Sequence, residues 1–192
     1  AGWAATLADW AALRALPFVY VSSAMVFDAE PDGPHHVDHA PNAKDGYGRS
    51  KITAEAAVRD AHPGASLVRI GWQIDPERPG NNMLMQLDGW QREQGEVATS
   101  RAWTPACSFM ADTAEAMVDL LTRPEPGLVH LDSNAAEGHR FDAVVAALKA
   151  AFGRTDWRLR VHDDYRHDQR LTGGPRTLPP LSARLPALRA TG

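Results

Sequence analysis

The run Phe18-Val19-Tyr20-Val21-Ser22 constrains the fold most: it is built of β-branched and aromatic residues and shows no alternation of polar and apolar positions. A strand with one wet face alternates. A strand covered on both faces does not, and such strands belong to parallel sheets sandwiched by helices. The residues that follow suit this reading. Positions 28–46, broken by Pro31, Gly33, Pro34 and Pro41, read as a long loop; a helix is predicted from about Asp45 to Ala61, stopping before His62-Pro63-Gly64; Ser66 to Ile70 is the next strand. Strand, crossover-length helix and strand in that order predict a doubly wound α/β architecture, a parallel sheet with helices on both faces.

Upstream, Trp3, Leu7, Trp10 and Leu13 fall at helical spacing and end before Pro17. Because the sequence enters this helix at once, Ala1 reads as the middle of something longer. A sheet beginning at Phe18 would also leave an apolar edge, which needs a pairing partner. Downstream, Met83, Leu87 and Trp90 share a face of a helix predicted over 82–94. Ala114, Met117, Val118 and Leu121 mark a core stripe over 112–122, and Phe141, Val144, Val145 and Leu148 another over 139–152, stopped by Gly153. Leu128 to Leu131 and Trp157 to Val161 are strand candidates, and the Pro-rich end reads as irregular. Two regions result: residues 1–75, the sheet with its candidate catalytic groups, and residues 76–192, mainly substrate-binding, with some elements returning to the sheet.

The charge balance, 20 Lys+Arg against 24 Asp+Glu, argues against a nucleic-acid binder, and no apolar run approaches the length of a membrane span. The single cysteine, Cys107, excludes an internal disulfide framework and reads as a buried structural residue, so the cytoplasm is the expected compartment. His35, His36, Asp38 and His39 could be drawn as a metal cluster, as could His162, Asp163, Asp164, His167 and Asp168. Both read better as solvated loops, and no metal is expected.

The chemistry gathers in Tyr47-Gly48-Arg49-Ser50-Lys51. A phenol and an ammonium four residues apart on a helix share a face about one turn apart. Free tyrosine is a poor proton donor at neutral pH, and a neighbouring cation favours its phenolate and brings it toward working range. With so few tyrosines and lysines in the chain, a chance match to this spacing is expected roughly 0.05 times. A hydroxyl is then needed to hold the reacting carbonyl, and Ser22 and Ser23 stand where parallel α/β sheets place their sites, at the strand's C-terminal end. Ser23 is the better choice, since neighbouring strand residues point to opposite faces.

Val19-Tyr20-Val21-Ser22-Ser23 with Val26-Phe27, and Tyr47-Gly48-Arg49-Ser50-Lys51 with Glu55, resemble the strand, serine and Y-G-x-S-K-x-x-x-E signature of the extended short-chain dehydrogenase/reductases, the NAD-dependent epimerase/dehydratase superfamily. Further segments look like its dTDP-4-dehydrorhamnose reductase branch: Arg69-Ile70-Gly71-Trp72, Gly80-Asn81-Asn82-Met83, the helix start at Asp112 and Gly127-Leu128-Val129-His130-Leu131. The resemblance covers about residues 4–189. It implies a Rossmann-like NAD(P)-binding fold, here its C-terminal part, with NADP or NAD as cofactor. Tyr47 would be the general acid, Lys51 would tune it and hold the nicotinamide ribose, and Ser22 would join them at the cofactor. Ser23 would bind the carbonyl, and Trp72 and Asn82 would contact a nucleotide-sugar. The resemblance leaves room for a homodimer.

Two departures matter. The branch's S-T-D-Y-V-F is here Ser22-Ser23-Ala24-Met25-Val26-Phe27, which keeps the hydroxyl but loses the acidic and second aromatic groups. The glycine-rich loop that cradles the cofactor pyrophosphate has no counterpart either: Gly46 and Gly48 flank Tyr47 without a third glycine. An upstream strand with a glycine-rich turn is therefore expected before Ala1, and residues 1–192 alone are expected to be poorly soluble or oligomeric and to bind cofactor weakly. The function read from these residues is reduction of a 4-keto sugar. The alternatives are an epimerase or dehydratase of the same superfamily, which returns its hydride, and a non-catalytic dehydrogenase-derived binding or regulatory subunit.

Overall fold

The structure, a computed structural model, describes residues 2–191; Ala1, where the sequence reads as continuing from something earlier, lies outside them. In chain order the elements are α1 (Gly2–Ala12), β1 (Val19–Ser23), a 3-10 turn (Ala24–Phe27), β2 (His35–His36), α2 (Gly46–Ala61), β3 (Ser66–Ile70), β4 (Trp72–Ile74), α3 (Met83–Gln94), β5 (Val97–Ser100) and β6 (Trp103–Thr104). There follow β7 (Cys107–Phe109), α4 (Met110–Thr122), β8 (Gly127–Leu131), α5 (Phe141–Ala151), β9 (Leu159–His162), β10 (His167–Asp168), β11 (Leu171–Thr172), α6 (Leu181–Arg184) and a closing 3-10 segment (Pro186–Thr191).

β1, β3 and β8 form a parallel sheet with β3 in the centre, Val19 lying opposite Ser66 and Ser66 opposite Gly127. Successive residues of β3 serve opposite faces, as strand geometry requires. Leu67 packs with Ala8 of α1 and Val58 of α2, whereas Val68 packs with Leu120 of α4 and Val129 of β8. Helices thus cover both faces, which is the doubly wound arrangement that the apolar run at Phe18 predicts. Among the described residues β1 has a single strand neighbour, and its Val21 is 38% exposed.

A second core joins α3 and α5 to β4, β5 and β7 around Ile74, Leu87, Val97, Cys107 and Trp157. The α5 stripe is as its spacing predicts: Phe141, Val144, Val145 and Leu148 are each at most 1% exposed, and burial of such side chains is worth about 1.5–3 kcal/mol each. The α3 stripe likewise faces the core, with Met83 and Leu87 buried and Trp90 packed against them. β4 and β7 pair in parallel, as do β5 and β9. Burial pushes the Cys107 thiol well up from its ordinary range, so it remains an inert core residue.

One stripe is turned from its expected position. In α4, Val118 and Leu121 are 60% and 45% exposed, and the core-facing line is buried Thr113 and Leu120 with half-buried Ala116 and Met117 packed beside them. Both lines have the same period, one residue out of phase. Small Thr113 and Ala116 let the helix lie close to the sheet, and the Asp112 carboxylate is fixed by both nitrogens of the Arg184 fork. Trp3, Leu7 and Trp10 of α1, with Leu13 just beyond its end, face outward while Ala4, Ala8 and Ala11 turn toward the core; the small residues permit the close helix approach to α2. The expected loop at 28–46 contains β2, paired with β11, and the strand expected at 157–161 begins two residues later, at Leu159. The tail expected to be irregular carries α6 and the closing 3-10 segment.

Candidate active site

β1 ends at Ser23, whose side chain caps the following 3-10 turn by accepting the Met25 N–H at 3.2 Å. A hydroxyl that accepts there still has its own proton to donate. Ser22 faces the other way, is 2% exposed, and donates to Glu55 Oε1 at 2.5 Å. The strand alternation thus separates the serines: the Ser22 hydroxyl is committed to the interior, and that of Ser23 is available.

α2 starts where Asp45 accepts the Gly48 N–H at 2.7 Å, an N-cap that sets the first turn. Glycine at 48 is required by packing, because a Cβ there would lie 2.4 Å from the Met25 carbonyl oxygen and from Ala43 Cβ. The first turn therefore presses directly on the segment that follows Ser23. Lys51, one turn on, donates to the Val21 carbonyl at 3.1 Å, and its Nζ lies 5.6 Å from the centre of the Tyr47 ring and 5.5 Å from that of Tyr20. Tyr47 is 53% exposed, and its hydroxyl has no hydrogen-bond partner among the described residues.

These groups line one cavity of about 540 Å³, together with Met25, Gly71, Trp72, Gln73, Asn81, Trp103, Tyr165 and Gln169. Gly71 lets the backbone pass tightly beneath it: a Cβ would lie 2.1 Å from the Ala106 carbonyl oxygen. Ser22, Ser23, Tyr47, Lys51 and Trp72 are thus brought together. Trp72 also belongs to an aromatic group, stacked 6.1 Å from both Trp103 and Phe141. Asn82 is not brought there. It is 1% exposed, caps α3 by accepting the Met85 N–H and donates to the Arg78 carbonyl, while its neighbour Asn81 lines the cavity.

Trp103, Tyr165 and Gln169 are wall residues that sequence reading missed. They converge because β10 pairs with β6, and Trp103 Nε1 donates to Gln169 Oε1 at 2.8 Å. No local pattern announces a pairing of two-residue strands 64 positions apart (His167 with Trp103). The histidines of the 28–46 loop and the tail pack singly or in pairs: His35 stacks on Phe27 at 4.5 Å, and Tyr165 meets His167 Nδ1 at 3.0 Å. Among the described residues no group of three or more His, Cys, Asp or Glu side chains is arranged to hold a metal ion, and no helix is long and apolar enough to cross a membrane.

A parallel sheet with helices on both faces and a Tyr/Lys pair at its C-terminal edge defines a Rossmann-like domain of the short-chain dehydrogenase/reductase type. More narrowly, the chain belongs to the family described as the RmlD substrate binding domain, whose model matches residues 1–164. It is 31% identical over 129 residues to a probable low-salt glycan biosynthesis reductase of Haloferax volcanii, covering 64% of this chain and 42% of that protein. It is 27% identical over 151 residues to a dTDP-4-dehydrorhamnose reductase of Mycolicibacterium smegmatis, covering 78% and 45%. The chain therefore spans less than half the length of these relatives. Among solved structures, a dTDP-4-dehydrorhamnose reductase of Clostridium acetobutylicum superimposes with a TM-score of 0.77 at 18% identity, over 98% of this chain and 70% of that one. The enzyme of the same name from Bacillus anthracis, in complex with NADP, gives 0.76 at 17% identity over the same shares.

Proposed function

We propose that this chain is the catalytic and substrate-binding part of an NAD(P)-dependent reductase that converts a nucleotide-linked 4-keto sugar to the alcohol. The observation that carries the reading is the meeting of three uncommitted proton groups at one cavity: the Ser23 hydroxyl proton, the Tyr47 phenol and the two Lys51 protons not given to Val21. Those Lys51 protons suit the hydroxyls of a nicotinamide ribose. The described residues thus supply the nicotinamide end of a dinucleotide site, and they contain no glycine-rich phosphate cradle. When bound, the nicotinamide supplies the hydride that reaches the carbonyl carbon. Ser23 donates to the carbonyl oxygen and orients it, Tyr47 delivers its proton to that oxygen as charge develops, and Lys51 stabilises the phenolate left behind. Trp72 forms part of the wall against which the sugar lies.

The reading places the protein in the cytoplasm, with a small-molecule nucleotide-sugar as its partner and neither nucleic acid nor membrane. It is tested with the complete protein, NADPH or NADH and a dTDP-4-keto sugar. Stoichiometric loss of nicotinamide absorbance with formation of the reduced sugar supports it. Sugar conversion without net cofactor consumption would assign the epimerase or dehydratase chemistry instead, and absence of any conversion would assign a binding role.

A further inference from the structure

Lys51 carries a half-buried ammonium with no carboxylate beside it. Among the described residues it forms no ion pair, and the cavity it lines contains no Asp or Glu. Glu55, one turn further along α2, is already held by Arg69 and Ser22. A cation drawn partly out of water must recover its lost hydration elsewhere. Among the described residues Lys51 finds the Val21 carbonyl at 3.1 Å and two ring faces, Tyr47 centred 5.6 Å away and Tyr20 centred 5.5 Å away.

The periods of strand and helix put Tyr20 in that place. Tyr20 and Ser22, two apart on β1, share the face turned to α2, and Lys51, Glu55 and Val58 follow one another at steps of four and three along one side of that helix. Ser22 meets Glu55 and Tyr20 meets Lys51, while the Tyr20 ring also packs on the cluster of Ala8, Val58 and Leu67. The Tyr20 hydroxyl makes no hydrogen bond among the described residues. Burial first, then the charges of Glu55 and Tyr47, push this phenol up from its ordinary value, so the ring stays neutral and keeps its negative face for the ammonium.

A ring face and a carboxylate hold a cation with different consequences. A carboxylate would fix Lys51 and cancel its charge. A ring quadrupole fixes the ammonium and leaves the charge whole, with two N–H groups still free beyond the bond to Val21. We propose that Tyr20 is a positioning residue of the catalytic cavity: its ring holds the Lys51 ammonium against the Tyr47 ring without neutralising it, and so acts on the reaction through Lys51 while touching neither substrate nor cofactor. The assignment rests on the reading of Tyr47 as proton donor and Lys51 as the cation that tunes it.

The test is a series at position 20 of the complete protein: Tyr20→Phe, Tyr20→Leu, and phenylalanines bearing one, two or three ring fluorines, which preserve the ring's shape and progressively drain its negative face. NADPH affinity and the pH profile of kcat/KM are read for each, with thermal unfolding alongside. Tyr20→Phe is expected to stay within about two-fold of wild type, because the ring face remains. Fluorination is expected to weaken NADPH binding step by step, about five-fold or more at three fluorines, with the unfolding temperature unchanged. It is also expected to move the high-pH fall of kcat/KM step by step to higher pH, since a loosened Lys51 stabilises the Tyr47 phenolate less. Tyr20→Leu should match the trifluorinated ring. A series flat in both readouts, or an NADPH affinity that follows unfolding temperature instead of fluorine number, would overturn the assignment and leave Tyr20 a core residue. The reductase reading fails separately: a stepwise loss of NADPH affinity in a protein that never reduces a sugar would sink the catalytic reading and keep the hold of Tyr20 on Lys51.

Discussion

Arg69 on β3 holds Glu55 of α2 at both carboxylate oxygens, Nε to Oε1 at 2.9 Å and Nη2 to Oε2 at 2.7 Å, with the side chains only 1% and 7% exposed. Ser22 adds a third bond to the same carboxylate, Phe27 lies under the guanidinium at 5.0 Å, and Arg69 Nη1 reaches His130 Nε2 on β8 at 3.5 Å. One buried fork therefore ties α2 to all three strands of the sheet. Glu55 stands one turn beyond Lys51, so the same contact holds the helix that carries Tyr47 and Lys51 over the end of β1.

Breaking that pair from one side leaves an uncompensated buried charge. Glu55→Gln or Arg69→Met alone is expected to lower stability by about 3–5 kcal/mol. The double variant should cost less than the sum of the two, because both charges leave together. Urea unfolding midpoints check this, and fully additive losses would show that the two groups are not coupled.

Tyr47→Phe removes only a hydroxyl that has no partner within the described residues. Turnover is expected to fall by roughly 100-fold or more while cofactor affinity changes no more than a few-fold. NADPH oxidation together with a cofactor titration measures both, and unchanged turnover would remove Tyr47 from the chemistry.

The two serines should separate by phenotype. Ser23→Ala is expected to lower turnover strongly and to lose its cap on the 3-10 turn, about 1 kcal/mol of stability. Ser22→Ala withdraws a donor from a buried carboxylate and is expected to cost about 2 kcal/mol of stability, with the smaller effect on turnover. Thermal unfolding beside steady-state rates distinguishes them, and equal losses of turnover would contradict the observed register.

His130, 2% exposed, is held neutral chiefly by burial and then by the Arg69 charge, which bring its pKa from 6.5 down to about 4. The unfolded chain takes up this proton near pH 6.5, whereas the folded one takes it up only near pH 4. Stability therefore falls as the pH drops through that window and levels off below it, by an amount of order 3 kcal/mol at most. Asp132 acts in the opposite sense, its carboxyl being pushed up to about 7 by burial. The measurement is therefore the difference between wild type and His130→Gln. Parallel stability curves between pH 7 and 4 would show that His130 is not responsible.

The sequence alone determined what depends on local order. The unalternating run at Phe18 specifies a strand covered on both faces, the helix expected from about Asp45 and the four-residue step specify that Tyr47 and Lys51 share a helical face, and Phe141, Val144, Val145 and Leu148 specify a buried stripe. These follow from backbone periodicity and capping, which act within a few residues. Tertiary structure alone decided the phase of α4, where close approach through Thr113 and Ala116 outweighed the more apolar Val118 and Leu121, and the capping use of Asn82 in place of a wall position. It also decided the convergence of Trp103 on β6 with Tyr165 and Gln169 on either side of β10, two strands too short to carry a period that pair only when the surrounding core has brought them together. Pairing energies across such separations depend on the closure of the whole chain, and no window of neighbouring residues contains them.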